Sequence, residues 1–369
     1  MQSINSSRLL AVMLACGAGP ANAQDGGAAS IETGLSYSSQ RGALAFVGVS
    51  ADDLMGSGID ISLGYQASED GEGLDGRIGW TREFGETAMG ADTFVSTRIS
   101  GRISDWPADA YTLESYGIEV VAGAAIADNL SYQGRVFAQQ DTLSDFDDNI
   151  SPLAAVPLEK SQLIGFGAGV SYVDLSGTGV MATGLAANAS FNVATSAGDR
   201  EWSSIEGGFQ YNAPLPMNTV LAVGAEAGQI AGRNGQTVHI VDRAFLGNPS
   251  PRGFAFAGLG PRDYVEGDVD TALGGNRYVT SSIELRVPTA NPALTFAAFV
   301  DAGAVWELDE VEGGASGTID DSYALRTSIG LSVYWETAIG PVQLNLAKAL
   351  DSEPFDRLET VSLGLGFRF

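Results

Sequence analysis

The sequence predicts an all-β protein, a transmembrane antiparallel β-barrel of about sixteen strands. Three observations carry this. Apolar residues recur at every second position from residue 31 to the end of the chain. Hydrophobic residues make up 44% of the chain, yet no apolar run beyond its start approaches the ~18 residues that a membrane helix needs. The chain also ends in mid-strand on an aromatic residue, an edge that would invite aggregation in a water-soluble sandwich.

The start is not barrel. Arg8, the short apolar run Leu9 to Ala15 and the small-x-small site Ala21-Asn22-Ala23 read as a secretory signal peptide over residues 1–23. Cys16 in "MLAC" loosely matches a lipidation box. The apolar run before it is short, and Ala21-Asn22-Ala23 is the better cut site. Cleavage there removes the only cysteine and leaves no disulfide. Residues 24–369 are then expected to form one barrel, without linker or repeat.

The last stretch, "TVSLGLGFRF" (360–369), shows the pattern most clearly. Val361, Leu363, Leu365, Phe367 and Phe369 share the face that suits hydrocarbon; Ser362, Gly364, Gly366 and Arg368 share the other. Runs of this kind place strands near 31–38, 42–49, 59–67, 73–82, 92–103, 111–121, 130–140, 162–172, 180–193, 202–212, 219–230, 277–288, 294–305, 323–335, 341–349 and 360–369. The even number puts both termini on one side, expected to be the periplasm. Trp80, Tyr211, Trp306 and Tyr334-Trp335 at run ends fit interfacial girdles. Connections are expected to alternate between tight (38–42, 288–293, 337–341) and longer and polar (68–76, 141–161, 307–322). Residues 231–276 lack strand signal, and "GNPSPRGFAFAGLGPRD" (247–263) lies within them.

The net charge of −26 argues against nucleic acid and against a polybasic lipid-binding face. Partners are instead expected to be outer-membrane lipid and lipopolysaccharide, with "DFDDN" (145–149) in an outer loop. No His/Cys cluster suggests a metal, and no cofactor is implied. The single histidine, His239, has Asp242 nearby but no spaced serine, so no enzymatic activity is expected.

Taken in order, "FLGNPSPRGFAFAGLGPRD", "ALGGNRYVTSSIELRVP", "FVDAGAVW" and the ending "LRTSIGLSVYWETAIGPVQLNLAKAL…VSLGLGFRF" resemble the BamA/TamA superfamily of outer-membrane insertases, the bacterial surface antigens. "TGLSYSSQRGALAFVGVSADDLMGSGIDISLGY" is similar to that family's first strands. The resemblance implies that the loop folds into the lumen and that Arg252, with Gly253 and Phe254, meets the inner-wall carboxylates Glu284 and Asp301. Alternation agrees: Ile283, Leu285 and Val287 leave Glu284 on the inner face, and Leu294, Phe296, Ala298 and Val300 do the same for Asp301. Pro251 stands where the family has a small apolar residue. The resemblance further implies a C-terminal strand signal (Leu363, Gly364, Leu365, Phe367, Phe369) and a weak lateral seam near Gly34, Gly364 and Gly366. It implies a role in outer-membrane protein assembly or transport, with unfolded outer-membrane proteins or a separate periplasmic protein as partners. The family's periplasmic POTRA domains are not expected here, because strand signal begins by residue 31. The competing reading is a passive, cation-favouring pore or structural protein.

Overall fold

The computed structural model describes residues 29–38, 42–51, 53–68, 71–86, 92–105, 110–154, 160–337 and 340–368. Period-two patterning yields strands β1 (Ala29–Ser38), β2 (Gly42–Ala51), β3 (Ile59–Ser68), β4 (Gly71–Glu86), β5 (Asp92–Asp105), β6 (Thr112–Ala127), β7 (Leu130–Ser144), β8 (Lys160–Ser176), β9 (Thr183–Ala194), β10 (Trp202–Pro214) and β11 (Val220–Gly232). A small hairpin follows, β12 (Arg262–Val265) and β13 (Val269–Ala272). The wall resumes with β14 (Arg277–Pro288), β15 (Leu294–Trp306), β16 (Arg326–Thr337), β17 (Gly340–Asp351) and β18 (Val361–Arg368).

Sixteen of these strands close into one barrel, each antiparallel to its neighbours. β11 pairs with β14 across the intervening hairpin, and β18 pairs with β1. Closure leaves no unpaired edge in lipid, which is what a membrane-spanning sheet requires. The outer face is apolar: Ile61, Leu63, Ile99, Ile205, Ile283, Phe296, Ile329 and Leu331 stand exposed on strands spread around the ring. Their chain neighbours point into the lumen, where Glu284, Asp301, Ser328 and Ser332 are buried.

Three features differ from the sequence expectation: the hairpin β12–β13 forms within 231–276, where no strand is expected, and two more lie in the wall. Residues 68–76 are not a long loop, because β4 starts at Gly71; Leu74 faces out and is 44% exposed, so alternation persists through the acidic residues. Tyr334 is not a girdle residue. It lies one position from the outward Trp335, which turns its ring into the lumen, where its hydroxyl donates to Glu284. Residues 1–23, Cys16 and Phe369 lie outside the described residues, as do the side chains of Leu365 and Phe367.

The two rims differ. One carries connections of a few residues; the other carries those over 145–159, 233–276, 307–325 and 352–360. A barrel of this width cannot be filled by wall side chains alone, and the long loops fold over and into it. Tyr111, Leu143, Phe245, Leu273, Leu308 and Ile319 belong to one buried apolar cluster. It draws on the start of β6 and on the β15–β16 loop, which stand on opposite sides of the ring. The loop rim is therefore capped. Trp202, Phe137 and Val238 belong to a second cluster that ties the 233–276 loop to the wall.

Candidate functional site: a loop tip clamped inside the barrel

The 233–276 loop descends to the wall formed by β14 to β17. Glu284 and Asp301 come from adjacent strands, in a register that pairs Ser282 with Asp301 and Glu284 with Phe299. Both carboxylates therefore face inward side by side. Arg252 reaches both. Its Nε and Nη2 donate to Asp301 at 2.8 and 2.9 Å, and its backbone N–H adds a third bond to Asp301 at 3.1 Å. Nη1 donates to Glu284 and to Ser332 Oγ. The guanidinium lies over the Phe299 ring, 3.4 Å from its centroid. Its bidentate fork to Asp301 is geometry that a lysine cannot reproduce.

The neighbours are ordered as well. Ser282 donates to Asp301 at 2.7 Å, Tyr334 donates to Glu284 at 3.1 Å, and Arg286 Nε donates to Glu284 at 2.7 Å. Two arginines and two carboxylates balance on this wall, so charges taken out of water are paired and hydrogen-bonded. Gly253 takes φ +95°, and a Cβ there would stand 3.0 Å from Ser328 Cβ, so both conformation and space favour glycine. Phe254 is fully buried and its backbone bridges to Leu358. Glu359 N–H donates to Gly253 O at 3.0 Å, and Arg357 N–H to Gly258 O at 2.7 Å. These bonds join the loop tip to the segment that enters β18 two residues later.

The structure thus brings Arg252, Gly253, Phe254, Glu284 and Asp301 together. Gly34, Gly364 and Gly366 lie elsewhere, at the β1–β18 seam, where Gly34 pairs with Gly366 and Ser36 with Gly364. Sequence reasoning missed Arg286, Phe299, Ser332 and Tyr334. Arg286 and Phe299 are each two residues from a chosen carboxylate on the same strand, so parity was the available signal. His239 is buried in the loop, and its Nδ1 accepts from Val241 N–H at 3.4 Å as the cap of a short 3-10 turn, while Asp242 accepts from Arg200 at 3.0 Å.

Residues 53–369 match the Omp85 superfamily domain. The chain belongs to the Omp85 superfamily. Similar proteins include the outer membrane protein assembly factor BamA of Neorickettsia risticii, 34% identical over 152 residues, which are 40% of this chain and 19% of that protein. BamA of Neisseria meningitidis is 31% identical over 179 residues, 42% of this chain and 22% of that protein. The mouse sorting and assembly machinery component 50 homolog is 28% identical over 171 residues, 43% of this chain and 35% of that protein. This Omp85 chain therefore spans about a fifth to a third of the length of these curated relatives. Among solved structures, BamA of Haemophilus ducreyi lacking POTRA domains 1–3 superposes with a TM-score of 0.75 at 21% identity, covering 94% of this chain and 71% of that one. CdiB of Acinetobacter baumannii gives 0.55 at 12% identity, covering 94% and 60%. These likenesses show the fold, a closed antiparallel β-barrel.

Proposed function

We propose that this Omp85 barrel takes part in inserting or assembling other β-barrel proteins in the outer membrane, with the β1–β18 seam as the working edge and both chain termini on the periplasmic side. The observation that carries this reading is the seam itself. Gly34 lies opposite Gly366, and Ser36 opposite Gly364, so these two register positions of the seam carry no cross-strand side-chain pair. Strand glycines lower the stability of an edge, and an opened edge can template an incoming strand by main-chain hydrogen bonding. The bonds from Gly253 and Gly258 to residues 357–359 connect the clamped loop to β18. The capped loop rim counts against a passive pore.

The test is a cysteine lock. Ser36→Cys with Gly364→Cys joins register partners of the seam. Under oxidising conditions the lock is expected to lower the levels of other outer-membrane proteins in cells that depend on this protein, and reduction should restore them. Unchanged levels with the lock formed would remove the seam from the mechanism. Unchanged levels on depletion of the whole protein would remove the assembly role.

A further inference from the structure

The wall opposite the Arg252 clamp carries an unbalanced charge. β4 to β7 stand half-way round the sixteen-strand ring from β14 to β17. Their inward residues include Arg77, Arg98, Arg102 and Arg135, which line one cavity of about 110 Å³ together with Asp75, Glu119 and Asp141. Register explains the grouping: Asp75 pairs with Arg102, Arg98 with Glu119, and Phe137 with Glu119, so these positions are contiguous on the lattice of the inner wall.

Asp141 is already engaged. It accepts from Ser115, Gln139 and the buried Arg200. Glu119 is shared between Arg98 at 3.3 Å and Arg135 at 3.2 Å. Among the described residues, neither Arg77 nor Arg102 forms an ion pair. Four guanidiniums thus share the cavity with three carboxylates, and Arg200, which meets Asp141, is itself shared with Asp242, so this wall keeps a net positive charge in a chain whose net charge is −26. Nor is the space packed shut: the Arg98 side chain points inward yet remains 44% accessible. Like charges held close together without counter-charge destabilise a fold unless something neutralises them. Guanidinium forks fit the planar edges of oxyanions, and the surplus of positive charge, with Arg77 and Arg102 outside any ion pair, matches an anion.

We infer that the β4–β7 inner wall is a binding site for a phosphate group, held chiefly by Arg77 and Arg102 with Arg98 and Arg135 beside them. The group is either a free phosphate ion or the phosphate of a small phosphomonoester. The site is separate from the seam and does not depend on the assembly reading.

The experiment uses the whole purified protein in detergent micelles. Its melting temperature is followed against inorganic phosphate and, separately, glycerol phosphate, with sodium chloride at equal ionic strength as the reference. A saturable rise of about 2–4 °C is expected with phosphate and is expected to vanish in R77Q/R102Q. Without phosphate, that variant should melt at or above the wild-type temperature, because like-charge crowding is relieved; a merely structural role for these arginines would lower it. A rise with inorganic phosphate alone identifies a free ion; a larger rise with glycerol phosphate identifies a phosphomonoester. Phosphorus NMR line broadening on the wild-type protein, reversed by excess of the other anion, provides a readout that does not depend on the variant folding. No rise beyond chloride together with no broadening, or a rise that survives in R77Q/R102Q, would overturn the site.

Discussion

The ring of Pro251 occupies the space that a side chain on Gly303 would need. A Cβ on Gly303 would stand 2.9 Å from Pro251 Cδ and 3.0 Å from its Cγ. Gly303 is two residues beyond Asp301 on the same inward face of β15, so the proline seats against the strand that supplies the main anchor of Arg252. Gly303→Ala should push the loop tip off the wall at a cost of about 1–3 kcal/mol, the usual range for overpacking. The urea midpoint of the micelle-solubilised barrel measures this. An unchanged midpoint would mean that the tip adapts freely.

Removing the guanidinium tests the clamp directly. Arg252→Ala leaves two buried carboxylates, but unequally: Glu284 keeps a cation, Arg286, and Tyr334, whereas Asp301 keeps Ser282 and the backbone N–H of residue 252 but no cation among the described residues. Losing one partner of a buried pair costs about 3–5 kcal/mol. Adding Asp301→Asn should therefore recover more stability than adding Glu284→Gln. Unfolding midpoints of the two double variants decide the order, and equal recovery would contradict this partition.

The cap should be sensitive to acid through Asp263. This buried carboxylate accepts from Ser151 of one loop and from Ala315 and Ser316 of another, at 2.5 to 2.8 Å. Burial pushes its carboxyl up, but the hydrogen bonds from Ser151, Ser316 and Ala315 outweigh that and hold it below the usual carboxylate range. A depressed folded-state value means that its stabilisation is complete above the ordinary carboxylate value of about 4. The stabilisation is lost as pH falls through the lower folded value. Proteolysis of residues 307–325 by an acid-active protease should rise across that window. In Asp263→Asn it should be high already at pH 6 and nearly flat. A wild-type profile identical to that of the variant would dismiss Asp263 as the pin.

Phe254 should couple the tip to the seam strand. It is fully buried and its backbone bridges to Leu358, three residues before β18. Phe254→Ala is expected to cost about 3–5 kcal/mol and to speed amide exchange at 361–364 more than in β16. Equal acceleration in both strands would show a global loss instead of a local link.

Much of this was legible from residues alone. Alternation at period two located all sixteen wall strands in order and placed Glu284 and Asp301 on the inner face, because side-chain direction in a strand is a local property. It failed where the same parity had to be followed through unusual composition, as at the acidic start of β4 and at Tyr334. The hairpin β12–β13 was not legible either, because strands of four residues between glycines and prolines present too short a pattern.

What the sequence by itself determined is the number of wall strands, their order and, for most of their residues, which face lipid. What only the tertiary structure decided is which inward residues meet. Closing the ring sets Arg252 between carboxylates 32 and 49 positions away, joins Gly253 to Glu359, and sets four arginines on the wall facing the clamp. Such meetings depend on register, ring size and the path of a long loop through the lumen. Those quantities are settled by the closed sheet as a whole, and no repeating pattern along the chain encodes them.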